Sequence, residues 1–179
     1  PVSEGGEADG SRKVSKATGN VTSMAALCGS ALAAMARLYA PFDGDYAKRC
    51  LDKALVAYEF VNGTPKGNSA AGGFYGSKPK YVADLVTFSV ELYRTTGDKK
   101  YLADAEANCS WMNAEADYNY NYTLCYNNTE DLAAYLIAST KESSYSEKAL
   151  KVMDFYVNSM YKPASGYFLN KKVGGWGKL

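Results

Sequence analysis

The stretch YNYNYTLCY, residues 118–126, interleaves four tyrosines with asparagine, threonine and one cysteine. Two other long stretches are built alike. NGTPKGNSAAGGFYGSKPK (62–80) carries Phe74 and Tyr75, and YKPASGYFLNKKVGGWGKL (161–179) carries Tyr167, Phe168 and Trp176. Flat rings edged by amides and hydroxyls suit a ligand with an apolar face and a hydroxyl rim. A pyranose ring fits that description: its axial C–H face stacks on Tyr or Trp, and its equatorial hydroxyls bond to amides. Nucleic-acid bases would also stack, but they require a basic groove, and Lys78, Lys80, Lys171 and Lys172 are a modest set.

Catalytic chemistry is constrained by what is missing. The chain has no histidine, which removes Ser/His and Cys/His nucleophiles, His-ligated zinc and an imidazole base. The four cysteines, Cys28, Cys50, Cys109 and Cys125, show no CxxC spacing, so neither a zinc site nor a redox motif is expected. Cys28, Cys50 and Cys109 fall in helical patterns and read as small buried apolar residues. A Cys109–Cys125 bridge stays open and would imply an oxidising compartment. The acidic pairs have structural explanations. Asp43 and Asp45 flank a tight turn, Glu130 and Asp131 open a helix where negative charge is favoured, and Glu115 and Asp117 lie in a loop.

Charge and hydropathy narrow the partners. Twenty basic residues against nineteen acidic ones leave a formal charge of +1, with the signs mixed along the chain. That balance lacks the electrostatic footprint of a nucleic-acid or anionic-membrane binder, and no apolar run is long enough to span a bilayer. No nucleic-acid or membrane partner is expected.

The elements that must hold the aromatic stretches in place form a repeat. Residues 1–20 are polar, Gly-rich and irregular, a leading segment. After it, 21–39, 82–93 and 131–138 are apolar almost all round, as a helix buried on every side would be. Each is followed by a one-sided helix. The stripes are Tyr46, Cys50, Leu51, Ala54, Tyr58, Val61; then Tyr101, Leu102, Ala105, Cys109, Met112; then Ala149, Leu150, Met153, Tyr156, Val157, Met160. These helices cover the buried ones and face water. Short turns join each pair (APFDGD, TTGDKK, STKESS); in the second, Gly97 suits the left-handed C′ position and Asp98 the next N-cap. The unit is an inner–outer helical hairpin recurring at roughly 45 to 55 residues. The fold class expected is therefore all-α, an open solenoid or part of a closed α/α toroid. All inner helices run the same way, so the three long connections emerge at one end, which becomes a gallery of aromatic and amide side chains.

ELYRTTGDKKYLADAE (91–106), GGFYGS (72–77), YTLCYNN (122–128), the terminal GWGKL (175–179) and RKVSKATGN (12–20) before an Ala-rich helix together resemble glycoside hydrolase family 9, the cellulases of the (α/α)6 toroid type. The similarity runs in order over nearly the whole chain. It implies about half of the barrel: residues 1–179 as a partial catalytic domain, with 1–20 irregular and three helix pairs over 21–179. It also implies a secreted or cell-surface enzyme that cleaves β-1,4-glucan (cellulose) by inversion.

Carried over by position, the resemblance gives Tyr75 a glucose-stacking role, and places Tyr122, Tyr126 and Trp176 along the cleft as substrate-binding residues. Lys78 stands where many relatives have a tryptophan, which would weaken one subsite. Relatives often hold calcium through two successive acids and a later Asp. The matching residues here are Ala83, Asp84 and Asn127, so Asp84 and Asn127 remain as weak metal candidates and no cofactor is expected. Inverting hydrolysis needs two carboxylates roughly 6.5–9.5 Å apart. The resemblance draws the base from a D-x-x-D-type motif and the acid from an N-E-type motif, and neither occurs in these 179 residues. No catalytic residue is therefore assigned, and the chain reads as the central segment of a longer domain, with the remainder of that domain as its partner. A half toroid alone would expose more apolar surface than a monomer normally tolerates.

Two other readings compete: a non-catalytic α-solenoid that binds a protein or peptide at the aromatic end, and an (α/α)6 enzyme acting on another glycan. The N-x-S/T triplets at Asn20, Asn62, Asn108, Asn121 and Asn127 read as composition, because Asn108 falls within a helical pattern.

Overall fold

The computed structural model describes residues 22–63, 81–115 and 129–158. They form six α-helices: α1 (Thr22–Tyr39), α2 (Gly44–Gly63), α3 (Tyr81–Thr96), α4 (Lys99–Ala107), α5 (Glu130–Ala138) and α6 (Ser146–Tyr156), with a 3-10 turn at Ser110–Asn113 after α4. No strand occurs among the described residues. The helices pair as α1–α2, α3–α4 and α5–α6, and α3 also packs on both α1 and α5. This is the expected row of three inner helices backed by three outer ones.

Contacts along the row fix its sense. Ser23, early in α1, bonds Asp84, early in α3, while Arg37 near the end of α1 bonds Glu91 of α3 at 2.5 Å. Thr129, just before α5, also bonds Asp84. The inner helices are thus parallel, and their N-terminal ends lie together.

Two cores meet on α3. Leu85, Phe88 and Leu92 face Ala26, Ala33 and Ala54 of the first pair, and Ala83, Val86 and Val90 face Ala134, Ile137 and Val152 of the third. Every residue of α3 from Ala83 to Leu92 is buried, as expected of a helix apolar nearly all round, and the polar Asp84, Thr87, Ser89 and Glu91 are buried with the rest. α1 departs from that expectation: Met24 is 68% and Leu38 59% exposed, and Cys28 is exposed rather than buried. Tyr135 of α5 is also exposed. The reason is position, because a helix at the end of a row has an inner neighbour on one side only.

The outer helices follow their stripes with two corrections. Tyr101, Leu102, Ala105, Cys109 and Met112 are all buried, but α4 stops at Ala107, and the last two belong to the turn beyond it. On α6 the buried line is Ala149, Val152 and Tyr156, whereas Leu150 and Val157 are exposed. Each follows a buried residue by one position, about 100° round the helix, so neither can share its face.

The tight turns are capped locally. Gly97 has φ +74° and its N–H donates to Tyr93 O at 2.8 Å, while the Asp98 side chain accepts from Lys100 N at 3.0 Å. Asp43 accepts from Tyr46 N at 2.8 Å at the start of α2, which is the structural role its place beside a turn suggests. Across the back, Tyr58 of α2 donates to Asp104 of α4 and packs edge-on to Tyr101. Glu106 accepts from Ser143 Oγ, Ser144 N and Ser144 Oγ in the α5–α6 turn. The outer layer is therefore stitched from pair to pair by polar bonds, as the inner layer is by packing.

Candidate substrate-binding end

Because the inner helices are parallel, α2 and α4 lead towards the end where α3 and α5 begin. Segments 64–80 and 116–128, which join these helices in sequence, lie outside the described residues. The expected binding residues Tyr75, Tyr122, Tyr126 and Trp176, together with Lys78 and Asn127, lie outside the described residues. What is described is the platform from which those segments spring.

Its centre is Asp84, in the first turn of α3 and 4% exposed. One carboxylate oxygen accepts from Ser23 Oγ of α1, and the other from Thr129 Oγ1 ahead of α5. Burial pushes its pKa up from the ordinary carboxylate value, and the two hydroxyl bonds offset only part of that rise. The N-terminal ends of three helices thus converge on one carboxylate.

Among the described residues, the arrangement offers calcium too few ligands. Calcium takes roughly six to eight oxygen ligands, mostly from carboxylates and carbonyls. Here both oxygens of Asp84 face hydroxyl donors, Ala83 brings only a methyl group, and no cluster of three or more His, Cys, Asp or Glu side chains suits a metal among the described residues.

A second buried carboxyl group stands at the head of α5. Glu130 is 1% exposed and accepts from Tyr156 Oη at 3.0 Å. It opens a helix, as expected, but it is also a core residue tied to α6, which its sequence position does not disclose. Asp131 beside it is buried as well. Glu115 is exposed on the way out of the 3-10 turn, and Asp117 lies outside the described residues.

On the outer side of the same end, α2, α3 and α4 enclose a cavity of about 110 Å³ lined by Tyr58, Asn62, Leu85, Ser89, Asp104 and Asn108, among others. This is well below the roughly 300–1,000 Å³ of a small-molecule pocket. Asn108 turns its amide inward to Asp104 O at 2.8 Å, holding the end of α4. Cys109 is buried, with its thiol donating to Ala105 O at 3.2 Å and pushed up to about 12 by burial and by nearby Glu106. Cys125, its conceivable disulfide partner, lies outside the described residues.

Sequence reasoning placed Asp84 at this end but missed Ser23 and Thr129 as its partners. The signal was a hydroxyl residue near the start of two inner helices, each of which also reads as an ordinary helix cap.

Three parallel inner helices, each paired with an outer one, form a row of inner–outer helical hairpins. The family model for glycosyl hydrolase family 9 matches residues 4–176, so the chain belongs to that family. It is 33% identical over 98 residues to endoglucanase D of Acetivibrio thermocellus, covering 51% of this chain and 16% of that protein. It is 30% identical over 154 residues to endoglucanase B of Cellulomonas fimi, covering 79% and 15%. Among solved structures, the cellulase Cel9M of C. cellulolyticum aligns with a TM-score of 0.63 at 23% identity, over 76% of this chain and 31% of that one. An endoglucanase of the termite Nasutitermes takasagoensis aligns with a TM-score of 0.64 at 23% identity, over 78% and 33%. At such identity the likeness carries the fold: three hairpins of an (α/α)6 toroid. The chain spans about a third of these solved structures and under a fifth of the curated relatives.

Proposed function

We propose that this chain forms part of the catalytic domain of a secreted or cell-surface hydrolase that cleaves β-1,4-glucan with inversion, and that its share of the work is to grip the glucan. Membership of glycosyl hydrolase family 9 over residues 4–176 carries the reading. Its relatives' names as endoglucanases and cellulases support the substrate, as does the Cel9M structure solved in complex with cellobiose. On this reading Tyr75, Tyr122, Tyr126 and Trp176 stack on successive glucose rings, and neighbouring amides take the hydroxyl rims.

Inversion requires a carboxylate that activates water on one face of the sugar and a carboxylic acid that protonates the leaving oxygen on the other. The buried acids of the described residues are engaged otherwise: Asp84 by two hydroxyls, Glu91 by Arg37 and Arg94, Glu130 by Tyr156, and Asp131 by the Leu132 N–H. Half-buried Asp104 is held by Tyr58. The proposal assigns none of them to acid or base duty, and the reaction needs no cofactor. The platform around Asp84 keeps the roots of the binding segments in fixed relation, which preorganises the grip.

Hydrolysis of carboxymethyl cellulose and cello-oligosaccharides by the full-length protein tests this, with the product anomer followed by proton NMR. The α-anomer should appear first. Trp176→Ala should lower kcat/KM on long chains more than on cellotriose. No glucan hydrolysis, or a β-anomer product, would overturn the reading.

A further inference from the structure

The starts of α1, α3 and α5 meet at one end of the row and have to be held together there. One pin for such a junction is a cation shared by the helices. This chain has another. Asp84 stands between the two flanking helices, and each of its oxygens is met by one hydroxyl, from Ser23 on one side and Thr129 on the other. The Asp84 side chain is buried, and Ser23 and Thr129 are half-buried.

We propose that the Ser23–Asp84–Thr129 tie replaces a divalent cation as the pin of the inner-helix ends, so that this end of the fold holds together without calcium. Three observations carry it. Both carboxylate oxygens already accept a hydrogen bond from a neutral hydroxyl, so the buried group is satisfied without a cation. The neighbouring Ala83 is buried and has no oxygen in its side chain. A single carboxylate also supplies half the charge a divalent ion brings, whereas two hydroxyl donors satisfy that carboxylate with no further charge. Further along the same α1–α3 seam, Arg37 holds Glu91 and Thr95 accepts there too. Protein groups therefore bridge the seam at both ends.

The experiment compares thermal unfolding of the full-length protein in EGTA and in calcium chloride, for the wild type, Asp84→Asn, and the pair Ser23→Ala and Thr129→Val. The expected result has two parts. Any shift in Tm produced by calcium is the same in Asp84→Asn as in the wild type, within about 1 °C, because the ion does not act at this carboxylate. Each hydroxyl variant loses at least about 3 °C, equally in both buffers. A calcium-dependent gain in Tm that shrinks in Asp84→Asn would overturn the proposal by making Asp84 a ligand. Hydroxyl variants that melt with the wild type would overturn it by making the tie idle. Should Thr129→Val fail to fold, Thr129→Ser, which keeps the hydroxyl, must restore the wild-type Tm; failure to restore it counts against the tie as well.

Discussion

Phe88 aims the tip of its ring at Gly29: a methyl group on Gly29 would lie within 2.7 Å of Cζ, Cε1 and Cε2. Phe88 is 1% exposed, in the core shared by α1 and α3, and the space beside it is the small cavity between α2, α3 and α4. The small residues of α1 (Ala26, Gly29, Ala33) let the two inner helices approach, and the ring fills the hollow at Gly29. Gly29→Ala should therefore cost about 1–3 kcal/mol by overpacking, despite the better helix propensity of alanine. Urea unfolding measures it. Adding Phe88→Leu to Gly29→Ala should recover part of the loss, and a fully additive pair would contradict the knob-and-hollow account.

The Gly97–Asp98 turn makes a second prediction. Gly97 sits at φ +74°, where an L side chain is strained, and Asp98 caps α4 through Lys100 N. Asp98→Ala should cost about 1 kcal/mol. Gly97→Ala should cost a similar amount, while Gly97→Asn should cost less because asparagine tolerates the left-handed region. Equal effects of Ala and Asn at position 97 would remove backbone conformation as the cause.

Tyr58 gives a pH dependence with a definite sign. Burial first, and then its bond to Asp104, push the phenol up to about 12, with Asn62 acting in the opposite direction. Below pH 10 the phenol is protonated in the folded and unfolded chains alike, so its contribution to stability is present in full and does not vary with pH. Between about pH 10 and 12 the unfolded phenol ionises while the folded one keeps its proton, so the folded state binds more protons and stability falls as pH rises. The difference in unfolding free energy between wild type and Tyr58→Phe should thus be constant to pH 10 and shrink above it. A difference that stays flat to pH 12 would mean Tyr58 titrates normally.

The helices were legible because hydrophobic periodicity is a local property. α3 shows it best, buried continuously from Ala83 to Leu92, although Asp84, Thr87, Ser89 and Glu91 interrupt its apolar pattern. The pattern overstates the burial of α1, since Met24 and Leu38 are as apolar as core residues but lie on the side of the row with no described neighbour. The candidate site was legible as composition only. Its polar framework depends on partners far apart in the chain: Ser23 and Thr129 lie 61 and 45 residues from Asp84, and Tyr58 lies 46 from Asp104. No periodicity encodes which hydroxyl meets which carboxylate. Glu130 shows the same limit, because a glutamate in a first turn normally serves the helix dipole from the surface.

That glutamate yields the last prediction. Glu130 and Tyr156 are each 1% exposed and are joined at 3.0 Å between the head of α5 and the end of α6. Tyr156→Phe keeps the ring in the core and removes one donor from a buried carboxyl group. A hydrogen bond to such a group is worth about 1.5–3 kcal/mol, so the variant should lose that much in urea unfolding without a change in helix content. Glu130→Gln keeps an oxygen to accept from Tyr156 and should cost less than Glu130→Ala, which leaves the phenol hydroxyl without this acceptor and opens a cavity. In a double-mutant cycle, Tyr156→Phe and Glu130→Ala should be strongly non-additive. Additive losses would show that packing, rather than the bond across the hairpin, is what holds α5 against α6.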